Sequence, residues 1–395
     1  MSGRRILALG IAAVAVGGVL GSVLVLNGSG KISLSSHSSR EHGEHSSRHV
    51  TRWSFSTIDN QNDATFNQLL GISNRGQIAG YFGSGAQGHP NKGYLLTLSR
   101  HGSSYQNENF PGSLQTQVTG LNDFGVTVGF WSDQNTASQM NDNFGFYTWG
   151  GHFHSVNFPT GNNASPPVNQ LLGVNNWGVA VGFYTDAKGN NHGYTYSITR
   201  HRFRSVRIRG ATSLTASAIN NDGDIAGFFT GSGGVTKTFL LRSDGGLTTL
   251  AFPGAASTQA FGVNDSREVV GSYTIGSGTN AKTFGFTWSR HTGFKVVNAP
   301  QGLGATTING VNDAGDLVGF YTDAAGNTHG LLWAASHHTA PFAPGVTQFV
   351  PAPSATPTMS PTPTMSATPT ISATATPTTT TSAAPTAVSS SPRHW

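Results

Sequence analysis

Arg202, Arg204, Arg207 and Arg209 crowd into the string Arg200-His201-Arg202-Phe203-Arg204-Ser205-Val206-Arg207-Ile208-Arg209. Guanidinium groups grip carboxylate, phosphate or sulfate oxygens in pairs, so this run could hold an anionic polysaccharide or a lipid headgroup. Val206 and Ile208 face one side of an extended chain, which leaves Arg207 and Arg209 on the other. An outer strand whose charges discourage edge-to-edge pairing explains the same residues with less.

Other strings suggest chemistry and then fail a test of context. Gly83-Ser84-Gly85-Ala86-Gln87-Gly88 matches G-x-G-x-x-G, and residues 276–281 match a looser form. Dinucleotide binding needs a strand before such glycines and a helix after them, whereas here the next segment reads as another strand. Asp186-Ala187-Lys188-Gly189-Asn190-Asn191-His192 and Asp323-Ala324-Ala325-Gly326-Asn327-Thr328-His329 offer oxygen donors for calcium, but with one carboxylate each and no EF-hand spacing. An Asp that caps its own turn is the simpler reading. His37, His42, His45 and His49 could chelate a metal, yet nothing apolar nearby would hold their geometry. Glu108 and Glu268 are the only glutamates between residues 53 and 334, so a carboxylate pair for hydrolysis is hard to assemble. There is no cysteine, which removes thiol nucleophiles, disulfides and Cys-ligated zinc. No catalytic residue, metal or cofactor is therefore assigned.

The elements that position these residues follow from composition and repetition. Only 10% of the chain is charged and 52 residues are glycine, a strand-and-turn composition. The net charge of +5 is spread thinly, which argues against a nucleic-acid binder. Ile6 to Leu26 is an unbroken apolar run after Arg4 and Arg5, with no A-x-A cleavage site behind it. Its length suits a membrane anchor better than a cleaved signal peptide, with the arginines inside and the rest outside. Residues 1–30 are thus read as signal-anchor or signal peptide, and 31–52 as a disordered Ser/His-rich linker.

A motif then recurs six times, as ISNRGQIAGYF, LNDFGVTVGFW, VNNWGVAVGFY, INNDGDIAGFF, VNDSREVVGSY and VNDAGDLVGFY, starting at Ile72, Leu121, Val174, Ile219, Val263 and Val311. Asn and Asp tolerate left-handed backbone and bond their own turn, and Gly supplies positive φ, so N-[ND]-x-G between apolar runs is a hairpin turn. Arg267 replaces that Gly in the fifth copy and Ser73 replaces the first Asn in the first copy. The strand after the turn is apolar on both faces and carries an internal Gly, as expected where sheets stack face to face. The spacing of the copies fits the ~40 to ~50 residues of a propeller blade. We therefore expect residues 53–340 to form a six-bladed β-propeller of four-stranded antiparallel blades. If blade and repeat boundaries are offset, one blade contains both termini. Residues 341–395 are rich in Pro, Thr, Ser and Ala and read as a disordered tail.

The strings VNDAGDLVGFYTDAAGNTHGLLW, VNNWGVAVGFYTDAKGNNHGY and LAFPGAASTQAFGVND resemble the bacterial extracellular HAF repeat, in six copies over about residues 53–334. Thr238, Arg267 and Ser272 depart from its pattern. The resemblance implies an exported, β-rich repeat protein and brings no catalytic residues with it. The expected role is an extracellular binding or interaction module, anchored to the membrane or secreted, with a polysaccharide or surface protein as partner. A propeller enzyme acting on glycans and a structural surface protein without a ligand are the alternatives.

Overall fold

The computed structural model describes residues 53–86, 88–99, 102–134, 142–160, 163–302 and 304–335. The apolar run at 6–26, the linker histidines and the 341–395 tail lie outside the described residues. Among the described residues the only helix is a single 3-10 turn, Gly278–Asn280, and no helix is long and apolar enough to cross a membrane.

The strands form four-stranded units in a propeller-like arrangement. In the first, Asn67–Ile72, Gln77–Phe82, Lys92–Ser99 and Gly102–Asn107 lie side by side in that order, each antiparallel to the next. The outermost strand is the first strand of the following repeat, so blade and repeat are offset by one strand. The last sheet shows the consequence. Trp53–Ile58 pairs outside Thr328–Ala335, which is followed inward by Leu317–Thr322 and Thr306–Val311. One blade is thus built from both ends of the repeat region.

The expectation of six separate four-stranded sheets needs a correction. Four such sheets stand alone, and the remaining strands form one eight-stranded sheet. Its halves begin at Ala211–Ile219 and Ser257–Val263 and are joined by one parallel pair, Thr236 opposite Ser257. Similar parallel contacts at other boundaries are isolated bridges, Asn143 with Val168, Thr283 with Ala305 and Phe66 with Thr328. Thr236 and Ser257 are each the first residue of a strand, so two sheets become continuous there.

The apolar cores lie between neighbouring units. Leu69, Ile78, Tyr94 and Leu96 of the first sheet pack against Val318 and Leu332 of the last. Leu317 and Tyr321 of the same strand turn the other way, to Val270, Val297 and Ile308. This two-sided packing explains why that strand lacks polar alternation. Its glycine has a different cause from the one expected. A Cβ on Gly319 would collide with the carbonyl oxygen of Thr307, on the neighbouring strand of its own sheet. That inner strand slips register between Ile308 and Gly310, and all six inner strands carry the same bulge. The bulge, not the adjacent sheet, demands the glycine.

Two polar devices support this frame. Arg267 adopts φ 61°, the left-handed value that glycine supplies in the other turns. Its guanidinium compensates by bonding Asp224 at 2.6 Å and Asp222 at 3.0 Å, and Asp224 is fully buried. At the closure, His329 Nδ1 lies 2.8 Å from Asp59 Oδ2 and Nε2 lies 3.2 Å from Asp323 Oδ2. Burial disfavours the imidazolium, but the two carboxylates prevail and raise its pKa above the ordinary 6.5. Both ring nitrogens are engaged, so the residue is a staple rather than a general base.

Gly319→Val should cost about 3 kcal/mol in chemical denaturation, through overpacking at the bulge. Arg267→Gly should also lower the thermal midpoint, because relief of backbone strain does not replace the partner of buried Asp224; a rise would contradict the ion-pair role. A raised His329 pKa means that protonation favours the folded state. That contribution is complete below pH 6.5 and is lost as the pH climbs through the raised value. Thermal midpoints should fall across that window, and His329→Gln should flatten the fall.

Candidate functional site

The six turns meet on the propeller axis and bond to one another. The first Asn of a turn organises its own loop: Asn122 Oδ1 accepts the N–H groups of Phe124 and Val126, both at 3.0 Å. Its amide nitrogen reaches the next turn and donates to the carbonyl of Asn175 at 3.0 Å. Asn175, Asn220 and Asn264 repeat this donation to Asn220, Asn264 and Asn312. The chain of amides stops at the first copy, where Ser73 has no amide to offer. Asn312 turns its Nδ2 to Asp316 at 3.1 Å.

The second residue of each turn forms a closed ring. The backbone N–H of Asn74 donates to Asp123 Oδ1 at 2.7 Å, and Asp123 N–H donates to Asn176 Oδ1 at 2.9 Å. Asn176 N–H donates to Asn221 and Asn221 N–H to Asp265, at 2.9 and 2.8 Å. Asp265 N–H donates to Asp313 at 2.9 Å, and Asp313 N–H returns to Asn74 Oδ1 at 2.8 Å. This requirement for a side-chain acceptor explains why the position holds only Asn or Asp. Burial works against the Asp123 carboxylate, but hydrogen bonds from Asn176 and Asn74 hold its pKa below the usual range.

The ring lines a cavity of about 90 Å³ that also touches Ile72, Leu121, Val174, Ile219, Val263 and Val311. Deeper on the axis lies a cavity of about 20 Å³ walled by the six bulge residues, Leu70, Thr119, Leu172, Ser217, Phe261 and Asn309. Apolar and polar side chains alternate around it.

The third turn residue points outward and is free to vary. Trp177 is 72% exposed and Phe124 67% exposed, on adjacent turns. Trp177 is held in place, because its indole N–H donates to the Asn221 carbonyl at 2.9 Å. Arg75 lies 5.6 Å from the Phe124 ring centroid. Asp222 occupies the equivalent place on the turn next to Trp177 and pairs with Arg267. Arg75 and Asp222 therefore flank the two aromatics, and Ser266 and Ala314 hold the remaining two places. Sequence reasoning passed over Trp177 and Phe124, although both are non-repeating residues inside a repeating turn.

The arginines proposed from sequence lie elsewhere. Arg202–Ser205 is the outer strand of the third sheet, and Arg202, Arg204, Arg207 and Arg209 are all exposed. They do not contribute to the axial ring. The two Asp loops behave as self-capping turns. Asp186 Oδ1 accepts the N–H groups of Lys188 and Asn190, and Asp323 Oδ1 those of Ala325 and Asn327. Burial opposes ionisation of Asp186, but bonds from His192 and the loop bring its pKa down to about 2. The described parts of the two glycine-rich strings join antiparallel strands, and neither opens an α-helix.

No protein-family model and no curated protein matches the chain. Solved structures resemble it at low identity. TolB from Acinetobacter baumannii is 13% identical with a TM-score of 0.38, over 66% of this chain and 64% of TolB. This chain thus spans less than two thirds of the TolB chain. A polysaccharide lyase described as an ulvan lyase is 12% identical with a TM-score of 0.38, over 69% of this chain and 79% of the lyase. A six-bladed β-propeller lectin from Aleuria aurantia is 9% identical with a TM-score of 0.41, over 72% of this chain and 94% of the lectin. Likeness at this level bears on neither ligand nor activity.

Ser73→Asn should extend the chain of amides by one link, supplying a donor to the Asn122 carbonyl. A buried hydrogen bond of this kind is worth about 1 kcal/mol. The denaturation midpoint should rise with an unchanged slope; a fall would mean that Ser73 is required as it stands.

Proposed function

We propose that the chain is an exported carbohydrate-binding module, built as a six-bladed β-propeller, that takes a saccharide on its axial face. The closed ring of six turns supports counting the eight-stranded sheet as two blades joined at a corner. The apolar run after Arg4 and Arg5, and the resemblance to an extracellular repeat, support an extracellular location with a membrane anchor or secretion.

The observation that carries the reading is the fixed, exposed indole of Trp177 beside the amide and carboxylate ring. A sugar offers an apolar C–H face and a rim of hydroxyls. Trp177 and Phe124 supply flat apolar surface for the face, at little entropic cost because the indole is already held. Asn176, which has one amide hydrogen beyond its bond to Asp123, supplies a donor for the rim, and the Asp123 and Asp313 carboxylates supply acceptors. A partner with neither aromatic-stacking faces nor hydroxyls would leave half of this surface unused.

A glycan array probed with the full chain tests the proposal, followed by the variant Trp177→Ala. The array should show saccharide binding, and the variant should bind about tenfold more weakly, the scale of one lost aromatic contact of roughly 1.4 kcal/mol. Its thermal midpoint should not change, since the indole is exposed. Binding to no glycan, or equal binding by the variant, would overturn the proposal, and turnover of a bound glycan would favour an enzyme instead.

A further inference from the structure

We propose a second binding site on the outer edge of the third blade: Arg202, Arg204, Arg207 and Arg209 form a strip that takes a linear sulfated or uronate-rich polysaccharide. This site is separate from the axial face and stands independently of the function proposed there.

Local packing determines the direction of each side chain. The strand Arg202–Ser205 is bonded on one side only, with Arg202 opposite Ser197 and Arg204 opposite Thr195. Phe203 turns inward, where its ring meets those of Phe158, Tyr194 and Tyr196 at 5.2, 5.4 and 4.7 Å. Val206 and Ile208 are buried in the next core. The alternate residues are thereby pushed out, and Arg202 and Arg204 sit ~6.6 Å apart along the strand. A row of guanidiniums with this spacing suits a polymer that carries an anion on successive units.

The row is also uncompensated. Among the described residues none of the four arginines forms an ion pair, whereas Arg242 and Arg267 both have carboxylate partners. The nearest acids in sequence on either side are already engaged, Asp186 by His192 and its own loop and Asp222 by Arg267. No carboxylate among the described residues neutralises the strip.

Comparison between blades shows that the fold does not require these residues. The second blade carries His152-Phe153-His154-Ser155-Val156-Asn157 where the third carries Arg202-Phe203-Arg204-Ser205-Val206-Arg207. Asn157 accepts the N–H of Gly145 at 3.2 Å. Asn109 and Asn298 do the same for Gly93 and Gly285, at 2.9 and 3.3 Å. In the third blade the matching glycine is Gly193, whose carbonyl bonds Val206 N–H at 2.8 Å just as Gly145 bonds Val156. Arg207 has no acceptor atom and cannot make the supporting bond. Asp59 accepts the N–H of Gly330 at 3.3 Å, so four blades make this contact; Ala251 and Arg207 lack it, and only at Arg207 does a charge stand in its place, the pattern expected of a functional residue. Protection of the strand edge does not account for it, because residue 207 lies beyond the end of the paired strand. A lipid surface is disfavoured, since Phe203, Val206 and Ile208 all point inward and nothing apolar is left to insert.

The test uses the full chain on immobilised heparin as the sulfated polysaccharide, with uncharged agarose and duplex DNA as comparisons. The protein should be retained by heparin at physiological ionic strength and released by salt. A variant with Arg202→Ser, Arg204→Ser, Arg207→Asn and Arg209→Ser should bind at least roughly tenfold more weakly. A charge-matched variant with Ser at Lys188, Lys237, Arg290 and Lys295 should keep its retention, and Trp177→Ala should keep it too. Arg207→Asn alone should weaken retention while raising the thermal midpoint, because it restores the bond to Gly193. The proposal is overturned if the chain ignores heparin or binds DNA equally well. It is also overturned if the charge-matched variant loses as much, or if the strip variant self-associates while still binding heparin.

Discussion

The structure depends on one hydrogen bond made six times: a backbone N–H at each axial turn donates to the Asn or Asp side chain of the next turn. Asp313 completes the circle by donating back to Asn74. The bond couples local conformation to global closure. Each turn must hold its second residue at a fixed angle, which is the task of the preceding Asn and of the left-handed residue two places on. A single four-stranded sheet cannot cover both of its apolar faces, so each unit is stable only between neighbours. The ring ensures that every unit has two of them. His329 and the strand Trp53–Ile58 make the same join again at the outer rim.

A ring that constrains two positions of each turn leaves the third free. That position holds Arg75, Phe124, Trp177, Asp222, Ser266 and Ala314. The outer strands show the same division of labour. Their inward residues maintain the core, and their outward ones range from serine to histidine to arginine. Both binding surfaces proposed here use positions the scaffold leaves open, one on the axis and one on the rim.

Much of this was readable in the chain alone. The repeated Asn-Asn/Asp-x-Gly string fixes a tight turn because few residues tolerate that backbone, and the offset between repeat and blade follows from the stray first strand. Positive φ at Arg267 was likewise foreseeable from its glycine counterparts. Its partner Asp224 was not, because that contact joins two blades. The glycine of the third strand reads in sequence as room for an adjacent sheet, because an internal Gly does not say which neighbour comes close. The link from Thr236 to Ser257 turns on a strand extending by one residue, below the resolution of any pattern. Trp177 stands at the one turn position that backbone geometry does not restrict, so the repeat pattern carries no signal for it.

Amide hydrogen exchange at the axial turns tests the closed ring most directly. These N–H groups sit at loop tips, where exchange is ordinarily fast. A closed ring predicts slow exchange at Asn74, Asp123, Asn176, Asn221, Asp265 and Asp313 alike, with one common opening energy. Fast exchange at Asp313, with the other five protected, would show the ring open between its first and last blades and would contradict the closure described here.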